Sequence, residues 1–337
     1  MAIIFTDTPD NNCSVFEPLL YTISNPDNLS VDAEVFSTNE TSALGIKRIP
    51  ASTYASFNIA GYLRRRLNPT PFTTDSFGLF SDPLRTITVA VRCGSAISPV
   101  RTFSAATSKL YDNQYLSDMP CNRSIAWHEN DEISLYIPDS SLYYKLTLSG
   151  PSKIIFSSPR HTFSRGIVSL CIDMKTLYSR LINYNTTPED YHSMCIEIYN
   201  GNQQLISLHY TLNTNPSASS NTRLCWLNRL GAIDFFSFSK PSDTSLSVSK
   251  EHCLCHDTLA VSNLSASTQF KVSSGFLPQN TLNPVAAIIS SPRVWMVNQN
   301  TLIPIDITSD SLHFSHSALN SVEISFRPCT PQVCQNF

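Results

Sequence analysis

The chain has 337 residues, enough for two or three domains, and 42% of them are apolar, enough to fill sizeable cores. Charged residues make up only 15%, well below the usual quarter, and Ser, Thr and Asn fill the gap. A net charge of −3 and the lack of any basic stripe argue against a nucleic-acid partner.

Residues Met1–Pro9 lack the basic region and long apolar stretch of an export signal. No window approaches the roughly 18 apolar residues of a membrane span. The expectation is a protein made in a cytoplasm, with no membrane span. Ten Cys in this length is far from a disulfide scaffold. Cys93, Cys171 and Cys195 lie inside apolar runs, where Cys acts as a small buried hydrophobe. Cys329 and Cys334 frame a Pro-containing tail and have the spacing to bridge, although a cytoplasm argues against it.

In chain order, strand-like runs fall at 2–6, 16–23, 31–37 and 86–93, then at 132–137, 143–148, 153–157, 166–173, 194–199 and 204–211. Further runs follow at 222–227, 232–239, 266–272, 294–297, 302–307, 311–315 and 321–327. Spacing of roughly 8–15 residues, with Asn/Asp/Pro/Ser clusters between, is the pattern of β-sandwich or barrel modules. Alternation with period two is clear in Glu132–Ile137 and Tyr144–Leu148. Helical pattern is scarce. Ser56–Leu67 predicts a short helix or turn with Ile59, Leu63 and Leu67 on one face. Met174–Asn183 predicts a second, and Asn280–Ser290 a third that Pro292 would end. The prediction is an all-β fold of two or three sandwich-like modules with a few short helices. Polar stretches suggest divisions at 1–112, 113–218 and 219–337, the last carrying the motif described below.

Candidate chemistry is sparse. His252-Cys253-Leu254-Cys255-His256 offers zinc-type ligands, but structural zinc sites favour C-x2-C and no second pair matches it. The alternative is a strand or loop with half-buried Cys. Arg64, Arg65 and Arg66 would suit an anionic partner, or a solvated helix end where cations favour the dipole. Asp131-Glu132 and Glu189-Asp190 read as solvated surface, the second as a turn after Pro188. Nothing in their spacing marks a glycosidase couple. Nucleophile-elbow, Walker-type and G-x-G-x-x-G loops are absent from a chain with nine glycines. No catalytic residue and no cofactor is assigned.

The densest cluster of unusual residues is Cys225-Trp226-Leu227-Asn228-Arg229-Leu230-Gly231-Ala232-Ile233-Asp234-Phe235-Phe236-Ser237-Phe238. It reads as strand, tight turn, strand, because Gly and Asn accept the left-handed backbone that a turn needs. Trp226 and Phe238 suit the core, and the indole N–H needs an acceptor. Arg229 and Asp234, five apart, suggest an ion pair or backbone fork that locks the turn. The alternative is an exposed aromatic patch docking a neighbouring subunit.

The pattern W-L-N-R-x-G-x-x-D-x-x-x-F resembles a signature of tail or tail-tip proteins of tailed phages and prophages of Bacteroidetes-type bacteria. Ser291–Val297 with Leu302–Ile305, and Phe16–Tyr21, match further elements of those proteins. Ala232 departs from the second Gly of the pattern. The resemblance implies a non-enzymatic virion protein of the tail, tail tip or baseplate. Its partners would be copies of itself and other tail proteins, with a host surface glycan or protein as a further partner. A receptor- or carbohydrate-binding module is the second expectation, and a glycan depolymerase the third.

Overall fold

The structure is a computed structural model that describes residues 2–38, 42–72, 77–183, 186–213, 221–238, 243–255, 258–298, 301–312, 314 and 320–329, with the backbone alone at 253–255, 258–260 and 262–265. It is an all-β fold of several sandwich-like modules.

The first module contains β1 (Ile4–Asp7), β2 (Leu20–Ser24), β3 (Val31–Ser37), β4 (Ala43–Ile49) and β5 (Tyr54–Asn58), then the helix α1 (Ala60–Arg64). After β6 (Gly78–Ser81) it continues with β7 (Thr86–Cys93), β8 (Ala96–Ile97) and β9 (Arg101–Ser104). Sheet β1-β2-β5 and sheet β4-β3-β7-β8, with β9 also on β7, enclose a core around Tyr21, Val35, Val89 and Phe103. The helix expected over 56–67 is shorter than its pattern, because Tyr54–Asn58 pairs with β2 as a strand. Ile59, Leu63 and Leu67 are nonetheless buried together, as their spacing required.

The second module adds β10 (Gln114–Tyr115), β11 (Asn122–Ala126), β12 (Asn130–Ile137), β13 (Ser140–Ser149), β14 (Ile154–Ser157), β15 (His161–Phe163) and β16 (Gly166–Asp173). The helix α2 (Met174–Asn183) then leads to β17 (Ser193–Asn200) and β18 (Gln203–Asn213). Sheet β10-β12-β16-β6 packs on sheet β11-β18-β17-β13-β14. β6 lies in the sequence of the first module but pairs with β16 of the second. The burial patterns reflect these places. β13 alternates with one face inward, whereas every residue of β16 is buried and its sequence is almost continuously apolar. The Asp173 carboxylate caps α2 by accepting from the Lys175 and Thr176 N–H groups at 3.1 and 3.2 Å.

The third module is a seven-stranded antiparallel sheet. It is built from β19 (Thr222–Leu227), β20 (Ile233–Phe238), β21 (Asp243–Cys255), β22 (Thr258–Leu277), β23 (Val294–Asn298), β24 (Thr301–Ile307) and β25 (Asn320–Pro328), with the helix α3 (Gln279–Ala286). Its order is β20-β19-β23-β24-β25-β22-β21, and one face packs on α3 around Trp226, Phe238, Leu282 and Ile324. A 3-10 turn at Ala287–Ser290 extends α3 before Pro292, as expected. The strand expected at 311–315 is not formed at Ser311 and Leu312, which are irregular. Among the described residues, no helix is long and apolar enough to cross a membrane.

Candidate functional site

The motif forms the β19–β20 hairpin, with Trp226 opposite Asp234 and Leu227 opposite Ile233. Asn228 organises its loop. The Asn228 N–H donates to the Ala232 carbonyl at 2.8 Å, and the Gly231 N–H donates to the Asn228 carbonyl at 3.1 Å. Its side-chain oxygen accepts from the Leu230 and Ala232 N–H groups at 2.9 and 3.1 Å. Its side-chain nitrogen donates to the Leu116 carbonyl at 2.8 Å and to Asp234 at 2.9 Å. The amide thus fills all four of its hydrogen-bonding places inside the protein.

Gly231 holds φ at +77°, and a Cβ there would lie 2.8 Å from the Ala106 nitrogen and 3.0 Å from the Ala105 carbonyl carbon. The turn therefore presses on the chain leaving the first module. Beside it the Arg229 carbonyl accepts from the Thr107 N–H at 2.8 Å and the Thr107 hydroxyl at 3.0 Å. An apolar cluster seals the contact, drawing Ala106 and Leu110 from one stretch, Leu116, Tyr136 and Ile167 from the second module, and Ala232 from the third.

The Arg229–Asp234 lock is not formed. Arg229 is exposed and grips Asp118 through two bonds of 2.7 and 2.9 Å. Asp234 is buried and accepts from the Ser117 hydroxyl and from Asn228. The pleat explains the exchange: Asp234 shares a face with Trp226 and points inward, while Arg229 sits on the outside of the turn. Burial pushes the Asp234 carboxyl up to about 6, against the opposing pull of Arg123. Trp226 is fully buried and its indole N–H has no acceptor among the described residues, contrary to expectation. Phe238 is also fully buried and meets Phe236 edge-on at 5.0 Å.

Sequence reasoning missed the carboxylates around the start of β12. Asp131 and Glu132, expected on the surface, are buried, and so is Glu129. Each is held by a different arginine. Glu132 pairs with Arg85, which also pairs with Asp82 at 2.7 Å, donates to the Thr70 carbonyl at 3.0 Å and lies over the Phe72 ring. Asp131 pairs with Arg123 at 3.2 Å and accepts from the Tyr210 hydroxyl at 3.0 Å. Glu129 pairs with Arg223 at 3.2 Å and accepts from the Ser237 hydroxyl. Arg223 also donates to the Asn130 carbonyl, from Nε at 2.8 Å and Nη2 at 2.5 Å. Burial raises the Glu129 carboxyl, but Arg223, Ser237 and the Ala126 N–H outweigh it and hold it below its usual range.

Arg85–Glu132 and Arg223–Glu129 join the second module to the first and third, and Arg123–Asp131 ties two strands of the second. Arg85 comes from the β6–β7 connection, Arg123 from β11 and Arg223 from β19, and they converge on four consecutive residues. A sequence signal existed: Arg85, Arg123 and Arg223 are isolated cations in apolar or hydroxyl-rich surroundings, in a chain with few charges. Arg123, Glu129, Asp131 and Arg223 line a cleft of about 450 Å³ walled by Met119, Phe236 and Pro278. A larger cleft of about 860 Å³, rich in Ser and Thr, separates the first two modules beside Arg66 and Arg165.

Arg64, Arg65 and His252 stay apart from this junction. Arg64 donates to the Val15 carbonyl at 2.6 Å and the Phe16 carbonyl at 3.0 Å, so its guanidinium fixes the first module. Arg65 is exposed, and Arg66 borders the larger cleft. His252 is exposed on β21; the side chains of Cys253 and Cys255, and all of His256, lie outside the described residues. Cys93, Cys171 and Cys225 are buried, and burial pushes the Cys93 thiol up to about 11. Cys329 is exposed, and Cys334 lies outside the described residues. Glu189 and Asp190 are exposed on a 3-10 turn, as read.

No family model and no curated protein matches the chain. The likeness to phage tail proteins rests on the motif residues and the two further sequence elements quoted above.

Proposed function

We propose that the protein is a non-enzymatic structural component of a tailed-phage virion, in the tail, tail tip or baseplate, assembling with itself and with other tail proteins. The observation that supports this reading is where the motif spends its residues. Asn228, Gly231 and Asp234 are consumed in holding one β module against the others. The ion pairs Arg85–Glu132 and Arg223–Glu129 tie the second module to the first and third. Such pairs add little net stability over apolar packing, but breaking one is costly, so they favour a single geometry. A repeated assembly needs that rigidity.

One observation bears on the carbohydrate-binding reading. A carbohydrate-binding face needs free aromatic ring faces. On the outer side of β13 and β17, Tyr143 and Tyr199 stack on each other at 5.0 Å, with Arg160 over one ring and Lys145 over the other. That pair therefore offers a sugar little open ring surface, and the exposed aromatics Tyr54, Tyr111 and Phe276 lie outside it. Mass spectrometry of purified particles tests the reading. Peptides of this chain in stoichiometric amount are expected; their absence from intact particles would sink it.

A further inference from the structure

The β21–β22 ribbon leaves the third module without a partner among the described residues. β22 pairs with β25 only from Phe270 to Leu277, so beyond that point β21 is its one strand partner among the described residues. The free part, from Ser245 to Cys255, extends roughly 35 Å at the rise of an antiparallel strand. Every residue from Asp243 to His252 is exposed, on both faces. Leu246 is 63% and Val248 47% exposed. A two-stranded ribbon is at best marginally stable in water when nothing covers it.

Its outer edge is also open among the described residues. β21 is the terminal strand of the seven-stranded sheet, whereas the other terminal strand, β20, is buried against β12. Long open edges are normally blunted by Pro, repeated charges or bulges, since they template pairing with another chain. Between Asp243 and Lys271 there is neither Pro nor Gly. The only full charges of β21 beyond Asp243 are Lys250 and Glu251. One register shift interrupts the ladder, at Glu251/His252.

We propose that β21 pairs antiparallel with β21 of a second copy of this chain, about a twofold axis at Val248. The charges disfavour the parallel and the Ser247-centred arrangements, and centring on Val248 sets an apolar pair on the axis. Parallel in-register pairing would set Lys250 against Lys250 and Glu251 against Glu251. Antiparallel pairing centred on Ser247 would set Asp243 against Glu251. Centred on Val248, it places Lys250 opposite Leu246, Glu251 opposite Ser245, Ser247 opposite Ser249, and Val248 opposite its own copy. Residues facing each other keep the same side of the sheet, so the Leu246–Val248 row continues into the partner and the serine row continues on the other side. An interface of this kind is isologous and closes at two copies. The argument stands on the ribbon itself and does not depend on the phage assignment.

The test is light scattering behind size exclusion on the full chain. The wild type should have twice the chain mass. Val248→Lys and Val248→Glu should each raise the dimer dissociation constant at least tenfold, with unchanged circular dichroism, because like charges then meet at the axis. Mixing the two variants should restore a dimer. A monomeric wild type, a closed ring of more than two copies, or a mixture that fails to pair would each overturn the proposal. A monomeric wild type that is nonetheless present in virions would leave the proposed function standing and remove only this inference.

Discussion

Replacing Gly231 by alanine adds one methyl group at the point where the hairpin meets the chain leaving the first module. Two costs arise. The residue holds φ at +77°, and a left-handed backbone costs an L-residue roughly 1 kcal/mol relative to glycine. The added Cβ also lies 2.8 and 3.0 Å from backbone atoms of Ala106 and Ala105. Those atoms cannot rotate away as a side chain would. Their segment is tied down by Thr107 N–H to the Arg229 carbonyl at 2.8 Å and by Ala105 N–H to the Arg85 carbonyl at 3.0 Å. Forcing such a contact apart costs roughly 1–3 kcal/mol, so the sum is about 2–4 kcal/mol. Gly201 supplies the control: it has φ +59° and nothing within 4 Å of its would-be Cβ, so alanine there carries only the first cost, roughly 1 kcal/mol. Urea unfolding followed by tryptophan fluorescence measures both, since Trp226 reports on the hairpin. Equal destabilisation by Gly231→Ala and Gly201→Ala would refute the close approach.

Three further outcomes follow from the junction. Arg223→Met leaves Glu129 buried without its cation and should cost about 3–5 kcal/mol; adding Glu129→Gln should recover part of that, and a double-mutant cycle with no coupling would contradict the pair. Burial raises Asp234 to about 6, so between pH 6 and 4 the folded state binds a proton that the unfolded state does not. Stability from this group is therefore full below the unfolded pKa and is lost as pH rises through 6, by about 3 kcal/mol in all. The wild type should accordingly gain stability over Asp234→Asn as pH falls from 7 to 5; a difference that stays constant would show that Asp234 does not titrate there. Arg229→Ala removes an exposed pair and should cost under about 1 kcal/mol, so a large loss in thermal unfolding would restore Arg229 as the lock.

The all-β class and the hairpin were legible because both depend on local pattern. Alternation in Tyr144–Leu148 and turn chemistry at Asn228–Gly231 operate within a few residues. What stayed hidden depends on distant neighbours. Tyr54–Asn58 became a strand through pairing with β2, which no local pattern reveals. Asp131 and Glu132 look like surface because carboxylates usually are; Arg123 and Arg85 make their burial tolerable. Asp234 found Ser117 rather than Arg229, since a residue's partner is set by the face it shares and not by its separation along the chain. The exposed ribbon was missed along β21 because its Ser and Thr residues read as loop, although their alternation with Leu246 and Val248 is that of a strand.

Particles released by prophage induction, labelled with an antibody to this chain and imaged by negative stain, test the structural role most directly. Label on the tail, tail tip or baseplate is the predicted result. Purified, intact tails that carry none of the protein, with all of it recovered free in the lysate, would contradict it.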